Sequence, residues 1–345
     1  MTETKSIEAM KTQQMKAILT NGYGTPEVLK LDRVPVPHPK ETELLVKVRA
    51  TSVTAAQMAI RSGKPYLVRL FMGLTKPKNP IGGTDFAGEV IRVGPSVTKY
   101  EVGDAIYGAT DVAGGTHAEY LTLSENDVVL KKPDNVTFEE AAAIIEGSST
   151  AYAFLRGIAD LQSGQRVLII GASGSIGTAA VQLAKHMGAE VTGVCSTKNV
   201  EMVKSLGADH VIDYTKDDFT QTDVRYHVIF DTVGKSSFEA SKRILTARGL
   251  YLSPVFGLSQ LITMVATSRS KGKRAIVSAT GLRKNEEKME DFLTLRDLLA
   301  QGKLRVPIDR TYQLPQAAAA HQYVETGHKR GNVVLVMDEE SFAAR

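Results

Sequence analysis

The sequence predicts an α/β protein in which a mostly β first domain is followed by a doubly wound parallel sheet, and three observations carry that prediction. Residues 165–199 read QRVLIIGASGSIGTAAVQLAKHMGAEVTGVCSTKN, a strand, a glycine turn, a helix and a second strand in one stretch. Strands and helices continue to alternate to near residue 282, as a parallel sheet with crossover helices requires. Before about residue 135, in contrast, short apolar runs are separated by glycine turns, the pattern of a small antiparallel barrel.

Composition narrows the class. A chain of 345 residues is long enough for two cores, and 43% hydrophobic with 23% charged residues is ordinary for a globular protein. The net charge of +4 is small and its lysines, arginines and acids are interspersed, so no nucleic-acid stripe is expected. No apolar run approaches the roughly 20 residues that span a bilayer. The first residues, MTETKSIEAMKTQQ, are polar and read as a flexible extension over 1–14. With Cys195 as its one cysteine the chain forms no internal disulfide, and a cytoplasmic setting is the expectation.

In chain order, Met15 to Thr20 and Val28 to Asp32 are expected strands, followed by an irregular segment imposed by Pro35, Pro37 and Pro39. Leu44 to Ala50 alternates like a half-buried strand, and the segment after it leads to a helical turn ending at Gly63. Ile81 to Gly94, Asp104 to Tyr107 and Ala118 to Leu123 add further strands. Thr137 and Glu140 form a capping box for an alanine-rich helix, with a second helix expected from about Ser148 to Leu161. Later strands fall at His210 to Ile212, Val228 to Phe230, Leu250 to Leu252 and Ala275 to Ser278, with helices over Phe238 to Leu245 and Glu286 to Leu299. The end of the chain stops alternating and is expected to return to the first domain. The domains are thus 15–147, then 148–282, then 283–345 rejoining the first.

The glycine turn indicates a ligand. Val167 to Ile170 form the unbroken apolar run of a strand covered on both faces. Gly171, Ala172, Ser173, Gly174, Ser175, Ile176 and Gly177 follow as G-A-S-G-S-I-G, in which Ala172 replaces the first glycine of the dinucleotide fingerprint G-x-G-x-x-G. Gly174 and Gly177 are the positions that admit a diphosphate and let the helix lie close to its strand, and the helix start favours an anion. An NAD site usually has an acid at the end of the second strand, about 20 residues past the glycines. Here Ser196, Thr197 and Lys198 stand there, two hydroxyls and an ammonium suited to a 2′-phosphate, so NADP(H) is the expected cofactor. Ser196 or Thr197 also suits a helix cap near Val200.

Residues 15–337 resemble the medium-chain dehydrogenase/reductase superfamily, and within it the zinc-independent quinone oxidoreductase group. The likeness is carried by KAILTNGYGTPEVLKL, IRSG, GTDFAGEVIRVGPSVTKYEVGDAIYG, GSSTAYAFL, the glycine turn, LGADHVIDY and HKRGNVVLVM, in family order. It implies a Rossmann sheet beside a discontinuous, GroES-like barrel catalytic domain. Where zinc-using relatives hold their catalytic metal, the matching residues are Thr54, Thr84 and Glu146, which do not form a zinc set. The structural four-cysteine lobe is missing as well, and no HExxH or G-x-S-x-G motif occurs.

The resemblance therefore implies NADPH-dependent reduction of a quinone or α,β-unsaturated ketone, a small-molecule substrate and a homodimer. It suggests Tyr66 as proton donor, although Tyr66 lies in an apolar stretch and also suits a pocket wall. Thr54 and Thr150 match contacts to nicotinamide or ribose, or else helix caps; Tyr214 matches a residue beside the 2′-phosphate. Val255 and Phe256 follow a strand on the crevice side, and Arg330, near Lys329 and Asn332, is a candidate for the diphosphate. His117, in GGTHAEY, reads as a packed loop residue. The alternatives are a 2-enoyl-thioester reductase with Lys76 and Lys78 at a basic mouth, or a non-catalytic member that binds RNA or acts in trafficking. Apolar residues 258–266 suit a dimer seam or a pocket wall.

Overall fold

The computed structural model describes residues 13–338 apart from 67, 111 and 112, so most of the expected extension over 1–14, and Leu67 of the apolar stretch, lie outside the described residues. The chain forms two units, one of residues up to 145 together with those from 308 onward, the other Glu146–Pro307. The boundary of the return differs from the 283 read from sequence. The helix Asn285–Ala300 belongs to the second unit, where Phe292, Leu295, Leu298 and Leu299 are buried.

In the first unit β1 (Gln14–Thr20) and β2 (Leu29–Pro35) pair antiparallel. β3 (Glu43–Ser52), β4 (Asp85–Val93), β5 (Ala105–Ala109), β6 (Tyr120–Ser124) and β7 (Val128–Lys131) build a larger antiparallel sheet around β3. β3 alternates, with apolar Leu44, Val46 and Val48 on one face and Leu45 among Glu43, Lys47, Arg49 and Thr51 on the other. Leu44, Val46 and Val48 pack with Ile18, Phe86 and Ile106, while Leu45 packs with Met15, Ala17, Val36 and Ala118.

The second unit is a six-stranded parallel sheet of β8 (Arg166–Ile170), β9 (Glu190–Cys195), β10 (His210–Asp213), β11 (Tyr226–Asp231), β12 (Leu245–Ser253) and β13 (Arg274–Val277). Its order is β10-β9-β8-β11-β12-β13, so the winding reverses between β8 and β11. A doubly wound sheet opens a crevice at the carboxyl ends of those two strands. The capping box forms as expected, Glu140 N–H donating to Thr137 Oγ1 (3.2 Å) and Thr137 N–H to Glu140 Oε2 (3.0 Å). The two expected helices after it are one, Phe138–Tyr152, which continues as a π-helical turn over Ala153–Ile158.

The return supplies β14 (Ile308–Gln313) and β15 (Asn332–Val336), which is parallel to β14 and antiparallel to β3. Between them the helix Ala317–Glu325 inserts Ala317, Ala320 and Val324 into the first unit's core. The sequence reading had no helix there. Nor did it place one over Leu258–Thr267, which packs on β13 through Met264 and Thr267 and leaves Leu258, Ile262 and Val265 exposed as a stripe. Among the described residues no helix is long and apolar enough to cross a membrane.

Candidate functional site

The glycine turn lies at the reversal of the second unit's sheet, and its residue identities follow from contact distances. Gly171 has φ +79°, and a Cβ there would meet the Val233 and Thr232 side chains at 2.6 and 2.8 Å. A Cβ on Gly177 would meet Gly171 O at 2.1 Å and Ala172 Cα at 2.7 Å, both backbone, so only glycine lets the helix Ser175–His186 reach its strand. The Ala172 side chain is fully buried, and a Cβ on Gly193 of β9 would come within 3.0 Å of it. That is why alanine fits where the common fingerprint has glycine. Gly174 caps the helix in extended conformation and, as glycine, brings no side-chain cap to the first turn. A glycine-rich turn of small residues at a helix start fits a diphosphate.

The loop after β11 is fixed by a residue the sequence reading did not single out. Asp231, fully buried, accepts from the N–H groups of Gly234 and Ser236 (2.8 Å each), from Val233 N–H (3.2 Å) and from the Tyr251 hydroxyl (2.8 Å). Burial and that carboxylate push the Tyr251 pKa upward. Thr232 Oγ1 donates to Ile170 O at 2.8 Å, tying the ends of β11 and β8 together. Val255 and Phe256, 37% and 39% exposed, add an apolar surface after β12. Its only sequence signal is an acid closing an apolar run, VIFD.

At the ends of β9 and β10 the polar residues bond to one another. Asn199 Nδ2 donates to Ser173 Oγ (3.0 Å) and Ser196 Oγ (3.2 Å), joining the glycine turn to the end of β9. Thr197 Oγ1 donates to Asp213 Oδ2 at 2.5 Å, so this hydroxyl is not the free donor expected of it. Asp213 also accepts from Thr215 N–H (3.0 Å) and Thr215 Oγ1 (2.7 Å), and these bonds, that from Thr197 first, hold its pKa down to about 2. Ser196 is half-buried, whereas Lys198 is exposed and has no hydrogen-bond or ion-pair partner among the described residues. Tyr214 is 54% exposed. Thr150 is buried and accepts from Thr280 Oγ1 at 3.3 Å, which leaves its own proton to donate.

The first unit contains a cavity whose lining is mostly apolar, with a few polar side chains set into it. Thr54 caps the helix Ala55–Ser62 as its alternative reading allowed, accepting from Gln57 N–H while Gln57 Oε1 accepts from Thr54 N–H, each at 3.4 Å. The Gln57 amide then donates to Thr84 Oγ1 at 2.9 Å. Thr54 and Thr84 are thus joined through a neutral amide, while Glu146 opens the second unit. Gln57 and Thr84 line a cavity with Ile60, Met72, His117 and His321. His117 is buried and its Nε2 lies 3.3 Å from Ser52 O, so Nε2 carries the proton. Burial pushes the His117 pKa down to about 4; burial and neighbouring His117 and Arg61 push His321 well below the ordinary value. Both rings are neutral at pH 7.

Tyr66 is not in the lining of that cavity. It is 68% exposed, with the Arg69 guanidinium 4.9 Å from its ring centre. Arg330 is also exposed in the first unit, and its N–H donates to Asp309 Oδ2 at 2.9 Å.

A sheet reversing at a glycine turn, with polar strand ends beside it, defines a dinucleotide-binding fold. Residues 40–134 match the alcohol dehydrogenase GroES-like domain, and residues 206–335 match a zinc-binding dehydrogenase domain. The chain is 32% identical to the 2-methylene-furan-3-one reductase of Solanum lycopersicum over 93% of this chain and 79% of that protein. It is similar in structure to the quinone oxidoreductase of Coxiella burnetii, with TM-score 0.84, 30% identity and coverage of 94% and 100%. The quinone oxidoreductase of Escherichia coli complexed with NADPH gives TM-score 0.78 and 25% identity, covering 94% and 99%. The chain belongs to the medium-chain dehydrogenase/reductase superfamily. Within it, this is a quinone-oxidoreductase-like oxidoreductase with a GroES-like domain and a Rossmann-like parallel sheet.

Proposed function

We propose that the protein reduces quinones or α,β-unsaturated ketones with NADPH and uses no metal. The observation that carries the cofactor reading is the charge at the edge of the sheet. β9 ends in Ser196, Thr197 and Lys198, and the nearby Asp213 carboxylate is already bonded by two threonines, so the exposed charge offered there is an ammonium. The turn from Gly171 to Gly177 would hold the diphosphate, with Tyr214 and Ser196 toward the 2′-phosphate and Val255 and Phe256 as apolar surface. Thr54, Thr150 and Arg330 are proposed as further contacts. Thr54 and Thr150 each accept a hydrogen bond from within the protein and keep a proton to give.

NADPH supplies the hydride. It adds at an electrophilic carbon of the acceptor, negative charge moves to oxygen, and the protein's part is to hold the acceptor and provide a proton. We assign that proton to Tyr66. Zinc does not fit the matching positions, because the Thr54 and Thr84 hydroxyls are neutral and serve a helix cap and an amide. A reducing, cytoplasmic setting and a homodimer complete the reading. The dimer rests on the exposed Leu258, Ile262 and Val265 stripe and is tested by sedimentation velocity.

The test follows NADPH absorbance against quinones, enones, enoyl thioesters and simple alcohols with NADP. Turnover is expected with quinones or enones and should survive a chelator. Turnover of simple alcohols alone, lost on chelation, would overturn the proposal.

A further inference from the structure

We propose that Lys216, which lies beside Asp213 at the end of β10, is a second cation for the 2′-phosphate; the inference rests on the NADPH reading above. Nothing in the glycine turn or in the segment 196–198 points to this residue. It lies 18 positions after Lys198 in sequence and reaches the site through strand pairing.

Asp213 closes β10 and pairs in register with Cys195, which closes β9. Tyr214 N–H then donates to Cys195 O at 3.1 Å, so the segments following the two strands leave the sheet side by side. The Asp213 carboxylate accepts a hydrogen bond from the Thr197 hydroxyl on Oδ2 and one from the Thr215 hydroxyl on Oδ1. A hydroxyl has one proton, so neither threonine has one left for a phosphate. Recognition of a dianion at this edge then falls to the Ser196 and Tyr214 hydroxyls and to cations.

Two cations are available. Lys198 is exposed, and Lys216 Nζ lies 3.6 Å from Asp213 Oδ2, the same oxygen that accepts from Thr197. The Lys216 side chain is 66% exposed and its separation from the carboxylate exceeds a hydrogen bond, so the pair is loose. A lysine on a flexible stem can turn from a carboxylate already satisfied by three donors to a dianion nearby. Asp213 thereby has two tasks. It fixes Thr197, and it keeps an ammonium next to the phosphate position.

The experiment measures dissociation constants by calorimetry for NADPH, NADH, 2′,5′-ADP and 5′-AMP with the parent, Lys216→Ala, Lys216→Gln and Lys198→Ala. Both Lys216 variants should weaken NADPH and 2′,5′-ADP by roughly 5- to 10-fold, leaving NADH and 5′-AMP within about 2-fold. Lys216→Gln is the control for stem packing, because it keeps most of the stem and a polar end while removing the charge. If Lys198→Ala lowers the preference for the 2′-phosphate while the Lys216 variants keep the parent's preference, Lys216 is only a surface ion pair and this inference fails alone. A parent that binds NADH as tightly as NADPH overturns both this inference and the cofactor reading beneath it.

Discussion

The crevice of the second unit and the cavity of the first use the same kinds of residue to different ends. In the crevice, backbone geometry dictates identity, as with a Gly177 whose Cβ would strike backbone at 2.1 Å, and the polar side chains fix the loops around a glycine turn. In the cavity, polar side chains first meet structural needs. Thr54 caps a helix, Gln57 joins two threonines, and two histidines are buried neutral. The difference teaches that a site specified by backbone clearance leaves a readable motif, whereas a site lined by side chains already in use leaves none.

The largest effect that could break this contrast is at Gly177. Replacing it with alanine puts a methyl against two fixed backbone atoms and should cost about 3 kcal/mol or more, with loss of NADPH binding. Thermal melting and a fluorescence titration measure both. A stable variant that still binds NADPH would show that the turn yields easily and that clearance does not specify it. Tyr66→Phe is next. If the hydroxyl supplies the proton, turnover should fall roughly 100-fold with NADPH affinity kept. Because Tyr66 is exposed and outside the cavity lining, turnover within a few-fold of the parent would transfer the proton to water.

The smallest effect sharpens the cavity side. Folded His117 takes up a proton only near pH 4, whereas the unfolded chain does so near 6.5, so stability is complete above about 6.5 and falls as pH drops toward 4. From pH 7.5 to 5 this residue alone should cost roughly 2 kcal/mol. Urea midpoints at the two pH values should therefore differ less in His117→Gln than in the parent. Equal differences would mean that the ring is hydrated and titrates normally.

These contrasts also explain what the sequence made legible. The strand, turn and helix from 165 onward were readable because apolar runs and glycines there answer to local geometry. The carboxylates at 213 and 231 were not, since each acts on groups brought to it by strand pairing. The segment 196–198 read as a free phosphate site, yet Thr197 is engaged by an acid 16 residues further on. The helices 258–267 and 317–325 were missed for opposite reasons. The first leaves its apolar stripe outward, and the second lies in a return segment with no alternation to frame it. The return itself begins at 308, because helix 285–300 buries its leucines in the second unit.

Asp231 bears on how tightly such a crevice can grip. Five donors converge on one buried carboxylate, four of them backbone N–H groups of residues 233–236, so this loop is ordered before anything binds. Immobilising a loop on association costs conformational entropy that subtracts from affinity. Here that loss is incurred during folding, within the same cooperative event that forms the sheet. The crevice thus meets its ligand with little freedom left to surrender, and a larger share of each contact's free energy is expressed as binding.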